Sequence, residues 1–125
     1  MYKRQDVCVP ISKITECVKF AEEKAKEFGV RAPMVGHMGD GNFHVVLPYD
    51  PAKKEMYKQL RAFNSSLIRK ALEREGSITG EHGVGLHNNE YLLEQDPDSI
   101  PVMKSIKRTL DPNNIMNPGK IFDLN

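Results

Sequence analysis

Met34-Val35-Gly36-His37-Met38-Gly39-Asp40-Gly41-Asn42-Phe43-His44-Val45-Val46-Leu47 is the stretch that decides the fold. Residues 34–36 and 43–47 spell two strands, with a tight turn around Gly39-Asp40-Gly41. Asp40-Gly41 predicts a two-residue type I′ hairpin, because that turn needs positive φ at both central positions. The register that follows sets Gly39 against Asn42, Met38 against Phe43 and His37 against His44. Directly opposed residues share a face with Cβ atoms about 5 Å apart, so the two imidazoles meet. Asn42 falls on their face by the period of two, while Met38, Phe43, Val45 and Leu47 turn to the other, toward a core.

Upstream, residues 6–9 form a short β-prone run that Pro10 stops. Ser12 is the expected N-cap of a helix in which Ile11, Ile14, Val18, Ala21, Ala25 and Phe28 recur at steps of three and four, and Gly29 closes it. Downstream of the hairpin, Met56, Leu60, Phe63, Leu67 and Ala71 lie on one face of a second helix that Gly76 ends. Ser77-Ile78-Thr79 reads as a last short strand. The order β-α-β-β-α-β predicts an α+β, ferredoxin-like antiparallel sheet with both helices on one face. C-terminal helices at 89–94 and 100–110 and a Pro/Asn-rich tail are additions to that unit. The tail keeps Ile115, Met116, Ile121 and Phe122, apolar residues that imply packing against something, a partner domain included.

A chain of 125 residues with a formal charge of +1 is expected to be one domain, 1–125, with a modest core. Its mixed charges give neither a nucleic-acid footprint nor a polybasic membrane patch. No apolar run approaches the ~20 residues of a membrane span, and no signal-peptide pattern opens the chain. Cys8 and Cys17 read as free thiols filling core space in a reducing compartment. The abrupt start, with little ahead of the first strand, looks like a domain cut from a longer protein.

A second cluster, Gly80-Glu81-His82-Gly83-Val84-Gly85, supplies the carboxylate that the histidine pair lacks. His37, His44 and Glu81 together make a three-ligand set for a divalent cation, leaving positions open for water or substrate. Neighbours on a strand point to opposite faces, so Glu81 and His82 serve one site only if the chain bends there, which the glycines permit. His82 is then free to act as a general base, since imidazole titrates near neutral pH. Paired histidines also simply hydrogen-bond, and the glycines are too few for a dinucleotide fingerprint. His87 is a surface residue.

Four ordered blocks carry a resemblance: Asp6-Val7-Cys8-Val9-Pro10-Ile11-Ser12, Gly36 to His44, Gly80 to Gly85, and Leu110-Asp111-Pro112-Asn113-Asn114-Ile115-Met116-Asn117-Pro118-Gly119-Lys120. The set resembles the C-terminal domain of FAD-linked 2-hydroxy-acid dehydrogenases of the vanillyl-alcohol-oxidase type, a group with D-lactate dehydrogenase (cytochrome), the glycolate oxidase FAD subunit and D-2-hydroxyglutarate dehydrogenase. The first block is most like the D-lactate dehydrogenases. The resemblance implies a divalent metal, zinc or manganese, on His37, His44 and Glu81, with His82 as substrate-binding base. It implies substrate contacts from Arg4 and Asn42 and a flavin contact from Asn117. Val46 stands where the hydroxyglutarate enzymes carry a substrate-touching Asn, which implies a smaller or less polar acid.

The resemblance also implies an FAD-binding domain as partner, absent from this chain, so that the chain alone is inactive. A homodimer and a place in the cytoplasm or on the inner face of a membrane complete the expectations. Two rival functions remain open: a stand-alone metal hydrolase in which Glu81 or His82 activates water, and a non-catalytic metal-binding module.

Overall fold

The computed structural model describes residues 2–124. Its elements are β1 (Tyr2–Cys8), α1 (Ile14–Glu27), β2 (Met34–Val35), β3 (Asn42–Pro48), α2 (Lys54–Leu72), α3 (Asn89–Gln95) and α4 (Ser99–Leu110), with 3-10 turns at Ile11–Lys13 and Met38–Asp40. The chain divides into two compact units, Met1–His82 and Gly83–Asn125. Among the described residues no helix is long and apolar enough to cross a membrane.

In the first unit, an antiparallel sheet runs in the order β1-β3-β2. Beyond β1, Ser77 makes a single bridge with Cys8. The order bridge, β1, β3, β2 is that of the expected ferredoxin-like sheet, with the fourth strand cut down to one residue pair. The cause is local: the amides of Gly80, Glu81 and His82 turn to the Asp6 carboxylate instead of a neighbouring strand. The first strand, in contrast, runs longer than residues 6–9, because Tyr2 to Gln5 pair with Pro48 to Val45.

Val7, Phe43, Val45 and Leu47 are essentially sealed from solvent, as are Leu60, Phe63, Leu67 and Ile68 of α2 and Cys17 and Ala21 of α1. Alternation along β1 and β3 therefore gives one apolar face to the helices and leaves Arg4, Asp6, Asn42, His44 and Val46 on the other. Burying a side chain such as Phe63 contributes about 1.5–3 kcal/mol. At the end of α1, Gly29 takes φ 62°. Its N–H donates to the Lys26 carbonyl and that of Val30 to Ala25, a Schellman closure. Ser12 is not the N-cap: a 3-10 turn occupies Ile11–Lys13, and α1 begins without a side-chain cap. Cys8 and Cys17 are free, and burial pushes the Cys17 thiol up.

The hairpin closes differently from the type I′ expectation. Only Gly41 has positive φ (82°), and the Met38–Asp40 turn precedes it, with Asp40 N–H donating to the His37 carbonyl at 2.8 Å. A turn followed by one left-handed residue is the other common hairpin closure. The pairing then sets Val35, not His37, against His44. The slip is two residues, an even number, so Met34 and Val35 keep their faces. Met38, expected on the core face, stands exposed because it belongs to the 3-10 turn and not to a strand.

In the second unit, Ile100 of α4 is buried, whereas Val102, Ile106 and Leu110 are exposed, as are Ile115 and Met116 of the tail. Asp111 ties the tail down: it pairs with Lys107 and accepts the Ile115 and Met116 N–H groups at 3.0 and 2.9 Å. The Lys107 ammonium, then these amides, hold its carboxyl below the usual range against the cost of burial.

Candidate metal and substrate site

The polar face of the sheet is where the functional side chains gather. His44 sits on β3, buried, directly across from Asp6 on β1. His37 comes from the head of the turn, exposed, with its ring centroid 6.4 Å from that of His44. Glu81 and His82 arrive from the loop after the Ser77 bridge. His44 Nε2 lies 3.1 Å from Glu81 Oε1, and His82 Nε2 lies 3.8 Å from the same oxygen. The His44 and His82 rings are 5.1 Å apart and perpendicular.

The expected bend between Glu81 and His82 exists, but a carboxylate makes it. Asp6 Oδ2 accepts the Thr79 hydroxyl at 3.0 Å and the N–H groups of Gly80, Glu81 and His82 at 2.8, 2.8 and 2.9 Å. Burial by itself would raise the Asp6 carboxyl; the donors from His82, Glu81, Thr79 and Gly80 outweigh it and hold the group below its ordinary value. Gly80 matters by its lack of a side chain: an added Cβ would stand 2.6 Å from Asn42 Nδ2.

One donor atom from each of His37, His44 and Glu81 fits within a 4.8 Å sphere of mutual distances, and so does the set Asp6, His44 and His82. Ligand atoms about 2.0–2.1 Å from a tetrahedral ion stand roughly 3.3 Å apart, which the His44–Glu81 distance matches. In the first set His44 Nε2 already faces Glu81 Oε1; in the second, Asp6 gives Oδ2 to the loop and has only Oδ1 to offer. Three buried polar atoms there, Asp6 Oδ1, Asn42 Oδ1 and His44 Nδ1, have no hydrogen-bond partner. His44 Nδ1 does face Asp6 Oδ1 at 3.3 Å, close enough for an ion pair but poorly aligned for a hydrogen bond. Imidazole and carboxylate donors suit zinc, manganese or iron.

The structure thus brings together His37, His44, Glu81 and His82, with Asn42 in the adjoining row of the same face. Arg4 lies on that face too, exposed, directly opposite Val46. Asn117 belongs to the second unit, where it takes φ 49° and lines an apolar recess of about 460 Å³ with Met103, Ile106 and Phe122. His87 is exposed and belongs to no candidate ligand group among the described residues. The residue that sequence reasoning passed over is Asp6. Its signal was a carboxylate inside a β-prone run, on a face shared with a histidine.

A profile of the family described as "FAD linked oxidases, C-terminal domain" matches residues 2–121. The chain is 41% identical over 120 residues to "Probable D-lactate dehydrogenase, mitochondrial" of Danio rerio, covering 95% of this chain and 24% of that protein. It is 39% identical to "D-lactate dehydrogenase [cytochrome], mitochondrial" of Arabidopsis thaliana, covering 94% and 21%. It is 37% identical to "Glycolate oxidase subunit GlcD" of Bacillus subtilis, covering 94% and 25%. The chain thus spans about a quarter of the length of these curated relatives. Among solved structures, a 4-ethylphenol oxidase from Gulosibacter chungangensis superposes on 98% of this chain and 24% of its own, with TM-score 0.65 at 21% identity, a likeness of fold. With sequence, fold and ordered blocks in agreement, the chain belongs to the family of FAD-linked oxidase C-terminal domains.

Proposed function

We propose that this chain is the substrate- and metal-binding domain, 1–125, of a flavin-dependent D-2-hydroxy-acid dehydrogenase acting on D-lactate or a glycolate-like acid. The observation that carries the proposal is the convergence of His37, His44 and Glu81 with His82 beside them. Relatives named D-lactate dehydrogenase and glycolate oxidase support the substrate class. The flavin sits on a separate FAD-binding domain, and the exposed apolar residues of α4 and the tail, with Asn117, face that partner.

When bound, a divalent cation would supply a Lewis acid for the carboxylate and hydroxyl of the acid, and the flavin would supply the hydride acceptor. His37, His44 and Glu81 would hold the cation. His82 Nε2, on a side chain 45% exposed, receives the hydroxyl proton. Arg4 pairs with the substrate carboxylate, and Val46 opposite it leaves no polar partner for a second one. Asn42 offers its buried amide oxygen to a substrate donor.

The test is His82→Ala in the flavin-loaded protein that carries both domains. D-lactate should no longer reduce the flavin at an appreciable rate, while metal content stays that of the wild type. Undiminished reduction contradicts the role of His82 as base.

A further inference from the structure

None of the chemistry above falls to Asp6, yet its carboxylate touches both halves of the site. It is only 5% exposed, and it stands in β1 directly across from His44. Three consecutive backbone N–H groups and one hydroxyl converge on Oδ2. Such a run of amides is a nest for an anion, and here the chain supplies the anion itself. The other oxygen, Oδ1, is 3.3 Å from His44 Nδ1 and has no other partner.

We propose that Asp6 is a positioning residue that sets the Glu81–His82 loop through Oδ2 and the tautomer of His44 through Oδ1. A carboxylate beside Nδ1 holds the imidazole proton there once a cation stands between Nε2 and Glu81, which leaves the Nε2 lone pair for the cation. Without the cation, Glu81 Oε1 at 3.1 Å is a rival acceptor for the same proton. Carboxylates behind metal-binding histidines act in this way, and removing them costs about 10–100-fold in metal affinity. The metal half of this inference rests on the metal reading above; the loop and tautomer halves do not.

Asp6→Asn separates the two roles. Its amide oxygen replaces Oδ2 and still accepts the loop donors, so its NH2 replaces Oδ1 and donates to His44 Nδ1. The proton must then move to Nε2. Asp6→Ala removes both interactions.

The experiment uses the 125-residue chain. Long-range 1H–15N NMR of the metal-free chain carrying Glu81→Ala, which removes the rival carboxylate at Nε2, reads the tautomer at a pH where the spectrum shows the imidazole neutral. In that background His44 should carry Nδ1–H with Asp6 present and Nε2–H in D6N. Amide exchange at Gly80, Glu81 and His82 should be slow in the wild type and in D6N and at least tenfold faster in D6A. Zinc should bind both variants about 10–100-fold more weakly than the wild type.

In the Glu81→Ala background, Nε2–H with Asp6 present, or an unmoved proton in D6N, overturns the role at His44. Unchanged exchange in D6A overturns the role in the loop; should D6A not fold, rapid exchange of the three amides in the wild type overturns it equally. A wild type that takes up no zinc sinks the metal reading, and the tautomer and exchange results still decide Asp6.

Discussion

His44 Nε2 stands 3.1 Å from Glu81 Oε1, and through that contact the central strand meets a loop 37 residues later in the chain. The contact joins the two glycine-framed clusters into one site. It depends on a turn that lets β3 start where it does and on a loop held against β1. Each of these supports can be removed separately.

Gly41 is the support on the hairpin side. Its φ is 82°, and an added Cβ would lie 2.1 Å from the Val9 carbonyl oxygen. Gly41→Ala should therefore destabilise the fold by about 2 kcal/mol or more in urea unfolding. Gly39, two residues away, has an unremarkable φ and nothing within 4 Å of an added Cβ. Gly39→Ala should stay within about 0.5 kcal/mol of the wild type. Equal losses at both positions would contradict the turn described.

Most of the architecture was legible because it rests on period. The apolar steps of α2 and the alternation through Phe43, Val45 and Leu47 mark the faces that pack, and those residues are sealed in the core. The grouping of His37, His44 and Glu81 was legible because the two glycine-framed clusters hold these side chains, and the structure brings them together. Three features were not legible. The turn type hung on whether Asp40 would take positive φ, a choice that Asp40-Gly41 leaves open. The fourth strand read as β-prone, but its following amides had a better partner in Asp6. Asp6 itself escaped notice because a single carboxylate in a strand says nothing of the loop, some 73 to 76 residues on, that closes over it.

Glu16 links the two helices, with Oε1 at 2.6 Å from Arg74 Nη2 and 2.9 Å from Lys70 Nζ. The hydrogen bonds from Arg74 and then Lys70 lower its carboxyl from an ordinary 4.5 to about 2. A depressed carboxyl stabilises the fold above its unfolded pKa, and that contribution fades as pH falls through the folded value. The Tm of the wild type should exceed that of Glu16→Gln at pH 7, with the gap closing between about pH 4.5 and about pH 2. Because Glu16 and Arg74 are partly exposed, salt should narrow the gap too. A gap that persists at pH 2 would contradict the assignment.

Arg4 and Val46 face each other across β1 and β3, one row from Asp6 and His44. In the flavin-loaded protein, Arg4→Ala should raise KM for the hydroxy acid about tenfold or more while changing kcat less. A charge-assisted hydrogen bond is worth ~1.5–3 kcal/mol. Val46→Asn should shift preference toward an acid with a second polar group, read as the ratio of kcat/KM for 2-hydroxyglutarate over D-lactate. An unchanged ratio would remove Val46 from substrate selection.

The central claim is that His37, His44 and Glu81 hold one divalent cation, and calorimetric titration of the chain with zinc and with manganese tests it most directly. One ion should bind per wild-type chain. Affinity should fall by more than about 100-fold in His37→Ala, His44→Ala and Glu81→Ala, beyond the 10–100-fold typical of groups behind the ligands. His87→Ala should bind as the wild type does. Wild-type affinity in His44→Ala or Glu81→Ala would contradict the account.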